Sequence, residues 1–264
     1  MIVTTAGKGA DQLHEKAIGF SQKLDCRFVL RNKQSVQELI EQYKEDVLVI
    51  GKQKITLHHA CGGEPFFYHP NSAMFRVKQF LKTGYDPLVD TAKLTKGMTF
   101  LDCTLGLASD SLVAKLAVGK EGRVIGLEAN ATVAAIVKEG LKTWNEGGPE
   151  MLAAMKAIEV IHAKHYDYLL SLEDNSVDVV YFDPMFEQHL SDSTGIKGLK
   201  QFACHDDLSE ETLRETYRVC SGRIVLKDHW KSTRFDRFPF HVIRRQHSAF
   251  HYGYIEKEGK CLNL

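Results

Sequence analysis

The chain reads as an α/β protein built on a seven-stranded, mostly parallel, doubly wound sheet, and three observations predict it. From residue 98 onward, strand-like and helix-like segments alternate without a break. The strand segments are runs of Val, Ile and Leu too apolar to leave either face in water. The last two strand segments follow one another with no helix between them, which closes the sheet with an antiparallel pair.

Each element has a local reason. "MTFLDCT" (98–104) is an apolar strand leading through a Gly-containing turn to a helix over 109–118. "RVIGLEAN" (123–130) is the next strand, and Asn130 is a good N-cap for a helix through Lys142. "IEVIHA" (158–163) is a third strand with a short helix after it. "VDVVYFDPMF" (177–186) is a fourth, followed by the helix "SEETLRETYRVC" with Leu213 and Tyr217 on one face. "RIVLKDH" (223–229) is the fifth strand, and "FHVIRRQ" and "FHYGYIE" form the terminal pair.

The first seventy residues read as a smaller α/β unit. Strands are expected at "MIVTTAG", "CRFVL", "DVLVIG", "KITLHH" and "EPFFYH". Leu13, Ala17, Phe20 and Leu24 have helical spacing, and Ser35-Val-Gln-Glu38 is a capping box opening a helix to Tyr43. His69-Pro70-Asn71 precedes a basic helical segment, "SAMFRVKQFLK". We therefore divide the chain into a small domain at 1–70 and a larger one at 71–264.

Composition narrows the class. Six scattered cysteines without a CxxC suit reduced thiols in the cytoplasm rather than a disulfide frame. No apolar run has the length of a membrane span, and the N-terminus lacks a signal-peptide core, so a cytoplasmic location is expected. His58-His59 and His247/His251 have no third ligand in a recognisable motif, so no metal site is expected. Lys plus Arg equals Asp plus Glu at 34 each, but the charge is unevenly spread. Residues 218–247 hold eight Lys and Arg against two Asp, a segment able to attract phosphates or simply a solvated face.

In a parallel sheet, ligands bind at the carboxyl ends of the strands. Three such ends carry polar groups here. The first is Asp102-Cys-Thr-Leu-Gly106-Leu-Ala-Ser109-Asp110, where a glycine turn and a helix N-terminus offer close approach and free N–H groups; a purely structural turn has the same look. The second is Glu128, placed to accept two ribose hydroxyls, or else a surface carboxylate beside a helix start. The third is the turn at Ala163, Lys164 and His165, which says little alone. There is no GxxxxGK[ST], no GxGxxG and no GxSxG, which leaves a nucleoside cofactor without a pyrophosphate, and S-adenosylmethionine fits. Asp183-Pro184-Met185-Phe186 then acquires a purpose. Asp183 and the Pro184 carbonyl can accept from the exocyclic amine of a base, Phe186 can stack on its ring, and Pro184 fixes the turn. The alternative is that Pro184 ends a strand and Phe186 packs inside.

Residues 99–190 resemble the class I S-adenosylmethionine-dependent methyltransferases. Within them, the chain is similar to the family of the bacterial small-subunit ribosomal RNA guanine-N2 methyltransferase J and its Gram-positive relatives. "LDCTLGLASDSLVA", "RVIGLEANATVAAIVKEGL", "VIHA", "VVYFDPMF" and "RIVLK" carry the likeness, in that order and spacing. It implies a Rossmann-like fold, an enzyme, S-adenosyl-L-methionine as cofactor with S-adenosyl-L-homocysteine as product, and RNA as partner. It also implies cofactor contacts at Ser109, Asp110, Glu128, Ala129, Lys164, His165 and Asp183, beside the Asp102 and Gly106 read above. Two features depart from the family: the first turn keeps a single glycine, and "EQHLSDSTGIKGLKQFACHDD" replaces a proline followed by basic residues.

The expectation is therefore methyl transfer to an exocyclic amine of an RNA base, guanine N2 of ribosomal RNA first. Asp183, Pro184 and Phe186 are the catalytic set. Lys227, Lys231, Arg234, Arg237, Arg244 and Arg245 are candidate phosphate contacts. A small-molecule or protein substrate is the alternative, and a non-catalytic cofactor-binding module is a third reading that the base-holding turn disfavours.

Overall fold

The computed structural model describes residues 1–7, 9–70, 72–184, 198–199, 201–202, 208–246 and 248–257. In the C-terminal part, β6 (Thr99–Asp102), β7 (Arg123–Glu128), β8 (Ile158–His162), β9 (Val177–Phe182), β10 (Cys220–His229), β11 (His241–Ile243) and β12 (Phe250–Glu256) form one seven-stranded sheet. Its order is β11-β12-β10-β9-β6-β7-β8. All pairs from β8 to β10 are parallel, and β12 is antiparallel to both neighbours, as the missing helix between the last two strands requires. Helices α5 (Ser109–Val118), α6 (Ala131–Thr143), α7 (Pro149–Lys156), α8 (His165–Leu170), α9 (Glu210–Val219) and α10 (Arg234–Arg237) connect the strands.

The central strands β6 and β9 are apolar on both faces because helices cover both faces. Phe100 and Val179 face a cluster that includes Val113, Val133 and Ile136, whereas Leu101 and Val180 face one with Leu169 and Leu213. The strand order reverses between β6 and β9. That switch point leaves a crevice at the carboxyl ends of the strands.

The N-terminal part forms a second sheet of β1 (Ile2–Thr5), β2 (Arg27–Phe28), β3 (Val47–Ile50), β4 (Ile55–His58) and β5 (Phe66–Phe67), in the order β2-β1-β3-β4-β5. Helices α1 (Ala10–Lys23) and α2 (Val36–Tyr43) accompany it, and the expected capping box of Ser35 and Glu38 is present. Leu57, Phe66 and Tyr68 share one apolar cluster with Val133, Ile136 and Val137 of α6, so the two sheets are packed together rather than tethered. Between them run α3 (Ser72–Thr83) and α4 (Pro87–Ala92).

The sequence reading assigned no element to residues 84–97 or 144–157, where α4 and α7 lie. Both open on a proline at the first helical position, where the missing N–H is not needed, and Asp86 caps α4 by accepting from the Leu88 amide. Strand β10 starts three residues earlier than expected, at Cys220, across an irregular register between Cys220 and Arg223. Among the described residues, no helix is long and apolar enough to cross a membrane.

Candidate active site

Parallel strands put their last residues on one edge, and that edge collects Asp102 from β6, Glu128 from β7, Asp183 just beyond β9 and Lys227 near the end of β10. Loop backbone locks these ends together. The Asp183 amide donates to Thr104 Oγ1 at 2.6 Å, and the Leu105 amide to the Leu127 carbonyl at 2.9 Å. Gly106 takes φ +49°, a left-handed turn that costs glycine nothing. Gly126 leaves room for Leu105, whose side chain would lie 2.2 Å from any added Cβ.

Asp102 is buried and accepts from the Thr104 amide at 3.0 Å and Ser111 Oγ at 2.6 Å. Burial pushes its carboxyl up to about 7, against the pull of the Ser111 bond. Glu128 is half-buried, and burial raises its pKa, opposed by amides of Asn130, Gly106 and Ala129. The Asn130 amide donates to it at 2.9 Å, while the Asn130 side chain caps α6 through the Thr132 and Val133 amides. His162 Nε2 lies 3.2 Å from the Ala129 carbonyl. The third turn follows directly: the Ala163 amide bonds the Glu128 carbonyl at 3.2 Å, Lys164 starts α8, and the His165 ring sits edge-on to Phe182 at 5.8 Å. Glu128 and Ala129 are thus neighbours of the turn that carries Lys164 and His165 on one rim.

The other rim is an ion network. Lys227 Nζ lies 2.6 Å from Asp183 Oδ2 and 3.1 Å from Asp110 Oδ2. Arg76 of α3 reaches Asp110 Oδ1 at 2.5 Å and grips Asp86 with two further bonds at 2.9 and 3.0 Å. Burial alone would raise the Asp110 carboxyl, but Lys227 and then Arg76 outweigh it and hold it well below the carboxylate range. Burial would likewise lower Lys227, and its two carboxylates instead hold it charged. Asp183 is pushed up to about 6 by burial, with Lys227 pulling against it and Asp110 adding to it.

The edge suits a nucleoside cofactor without a pyrophosphate. Ala108, at the start of α5, has no side chain able to cap, the kind of helix start that can take an anionic group. Glu128 keeps acceptor capacity for a ribose diol on the opposite rim. The donors and acceptors match a carboxylate at one end and a ribose at the other. Asp110 has a cation on each oxygen, Arg76 on Oδ1 and Lys227 on Oδ2, and so ties α3 and β10 to the start of α5.

The candidate phosphate contacts divide. Lys227 and Arg234 are already paired: half-buried Lys227 lies between two carboxylates, and Arg234 Nη1 is bound at 2.7 Å to buried Asp228. A formal charge count does not register such pairing. Arg218 and Arg223 of the same basic segment are likewise bound to Asp174, Glu215 and Glu256. Arg245 stacks over Phe250 and Tyr252 at 4.8 and 5.8 Å, Lys231 over exposed Trp230 at 4.8 Å, and Arg237 over Phe238 at 5.0 Å; Arg244 is exposed. Pro184 is buried at the end of β9, and Phe186 and most of 187–207 lie outside the described residues. Sequence reasoning missed Arg76, Asp86 and Ser111 as site residues. An arginine within an amphipathic helical segment carries no local mark of the partner it meets 34 residues away.

Comparison with known proteins agrees with this fold. The SAM-dependent methyltransferase family (SAM_MT) matches residues 30–250. The uncharacterised protein YpiP of Bacillus subtilis is 43% identical over 255 residues, covering 97% of this chain and 99% of its own. Ribosomal RNA small subunit methyltransferase J of Buchnera aphidicola is 27% identical over 175 residues, covering 64% and 63% of the two chains. The enzyme of that name from Shewanella amazonensis is 31% identical over 136 residues, covering 49% and 52%. Among solved structures, the SAM-dependent methyltransferase NGO1261 of Neisseria gonorrhoeae superposes with a TM-score of 0.65 at 15% identity, over 98% and 97% of the chains, a likeness of fold. With a family match spanning most of its length, a class I sheet and a strand edge suited to S-adenosylmethionine, this chain belongs to the SAM-dependent methyltransferase family.

Proposed function

We propose that the protein methylates an exocyclic amino group of a base in RNA, guanine N2 of ribosomal RNA in the small subunit. The observation that carries the reading is Asp183, held at the end of β9 by Thr104 behind it and Lys227 beside it, facing the same crevice as the cofactor rim. The partial matches to ribosomal RNA small subunit methyltransferase J support the substrate class.

When bound, S-adenosylmethionine supplies an electrophilic methyl group and leaves as S-adenosylhomocysteine. Asp183 and the Pro184 carbonyl accept hydrogen bonds from the amine and aim its nitrogen for in-line attack. Asp183 would take the amine's excess proton on methyl transfer and release it to water. Lys227 keeps Asp183 ionised for that task. Phe186 stacks on the base, which must be flipped out of its helix to enter the crevice.

The test is incubation with methyl-labelled S-adenosylmethionine and small ribosomal subunits lacking the modification, with free RNA and a metabolite extract as parallel acceptors. N2-methylguanosine in the nuclease digest is the expected product. Label in a small molecule or a protein instead overturns the RNA reading. Phe186→Ala is expected to leave cofactor affinity unchanged and cut turnover, with lost stacking alone worth about 1–3 kcal/mol.

A further inference from the structure

With Arg218, Arg223, Lys227 and Arg234 tied to carboxylates, half the cations of residues 218–247 are withdrawn from an RNA substrate, which then needs a further cationic surface. Helix α3 offers it. Ala73 and Val77 are buried against the core, and Arg76 points into the active-site ion network. Phe75, Lys78, Gln79 and Lys82 then fall at i, i+3, i+4 and i+7 on the opposite, exposed face. Phe75 is 72% exposed and Tyr85, just past the helix, 58%, so two of the most exposed aromatic rings in the described chain lie within eleven residues. Neither Lys78 nor Lys82 forms an ion pair with a described residue.

We propose that this face of α3 is the docking surface for the RNA strand flanking the target base, with Phe75 and Tyr85 stacking on unpaired bases and Lys78 and Lys82 contacting phosphates. This rests on the proposed RNA substrate. Three observations select RNA as the occupant. Unpaired lysines interleaved with exposed aromatics match the alternation of phosphate and base along a single strand. No acidic residue lies among residues 72–85, so the face has one sign of charge. The same helical turn that presents Phe75 carries Arg76, which bonds Asp110, itself one cation from Asp183, so a strand held here leads into the crevice. The arrangement also gives Arg76 a second role, fixing the docking helix to the active site.

The experiment compares wild type, Phe75→Ala, Lys78→Glu/Lys82→Glu and the distant surface control Lys33→Glu. Affinity for small-subunit ribosomal RNA is measured across a salt series, affinity for S-adenosylmethionine by calorimetry, and mass by sedimentation. Phe75→Ala is expected to weaken RNA binding roughly 5- to 150-fold, the loss of one stacked base. The double lysine variant should flatten the log–log salt slope by about 1.4, two single-strand phosphate contacts. Cofactor affinity should stay unchanged in both, and Lys33→Glu should bind RNA as wild type does. If wild type binds and methylates RNA but both α3 variants bind it equally well, this inference is overturned and the proposed function stands. If wild type binds no RNA, the proposed function falls and takes the inference with it. A wild-type dimer dissociated by these substitutions would mark the face as a protein contact and overturn the inference as well.

Discussion

The Lys227 ammonium sits 2.6 Å from Asp183 and 3.1 Å from Asp110, joining the end of β10 to the loop after β9 and the first turn of α5. Lys227 lies between two carboxylates and Arg76 between Asp110 and Asp86, so two cations serve three carboxylates. Together these groups form a chain of alternating charge from α3 to the catalytic edge. Removing any member leaves a buried charge without its partner, which is where such networks are most sensitive.

Lys227→Met should therefore act on both stability and pH dependence. Loss of the ammonium should cost about 3–5 kcal/mol in denaturant unfolding near neutral pH. It also removes the main force lowering the Asp183 carboxyl, so that pKa rises further. A carboxyl whose folded pKa lies above its unfolded value gives stability that is present below the unfolded pKa and lost as pH rises through the folded one. The deficit of the variant should accordingly be largest above pH 6 and shrink toward pH 4. Methyl transfer by wild type should fall as pH drops through about 6, and that limb should move to higher pH in Lys227→Met. An unmoved limb would separate Lys227 from Asp183 ionisation.

Arg76→Ala should destabilise the protein by about 3–5 kcal/mol, since it strips the buried Asp86 of a bidentate partner and Asp110 of one of its two cations. Arg76→Lys should recover only part of this, because an ammonium cannot grip Asp86 with two parallel bonds. Urea unfolding of the pair of variants checks it, and full recovery by lysine would show that charge alone matters.

Glu128→Ala should leave folding intact and weaken S-adenosylmethionine binding by about 1–3 kcal/mol, the range for hydrogen bonds to a charged group. Glu128 makes no ion pair among the described residues, so its removal strands no cation. Calorimetry showing unchanged affinity in a folded variant would sink its assignment to the ribose.

Tyr181 is fully buried two residues before Asp183, and its hydroxyl has no hydrogen-bond partner among the described residues. A buried unsatisfied hydroxyl carries a desolvation cost of about 1–3 kcal/mol. Tyr181→Phe should therefore keep or raise the thermal midpoint. A clear drop would reveal a partner in solution, such as a water held between Tyr181 and the carboxylates around it.

Much of the fold was legible because its signals are local. Apolar runs, their alternation with helical spacing, the Ser35 capping box and Asn130 each need only neighbouring residues to be read. Strand ends in a parallel sheet share one edge, so Asp102, Glu128 and Asp183 could be grouped from order alone, and the turn at 163–165 joined them through family resemblance. The helices opening at Pro87 and Pro149 were missed because short segments between stronger signals show too few turns for a period.

Charge was where local reading ended. The basic segment 218–247 was visible as a count, but of the partners that bind four of its eight cations only Asp228 lies inside it, while Asp110, Asp174, Asp183, Glu215 and Glu256 lie outside. Lys227 meets Asp110 across 117 residues, and Arg76 meets Asp110 across 34. A side chain's charge is written in the sequence, whereas its pairing and its access to water follow from which elements the folded chain brings within a few ångströms. The sequence by itself determined the sheet, the edge where its parallel strands end and the residue types along it. The tertiary structure decided which cations are bound inside that edge and which, such as Lys78 and Lys82 on α3, have no ion pair among the described residues.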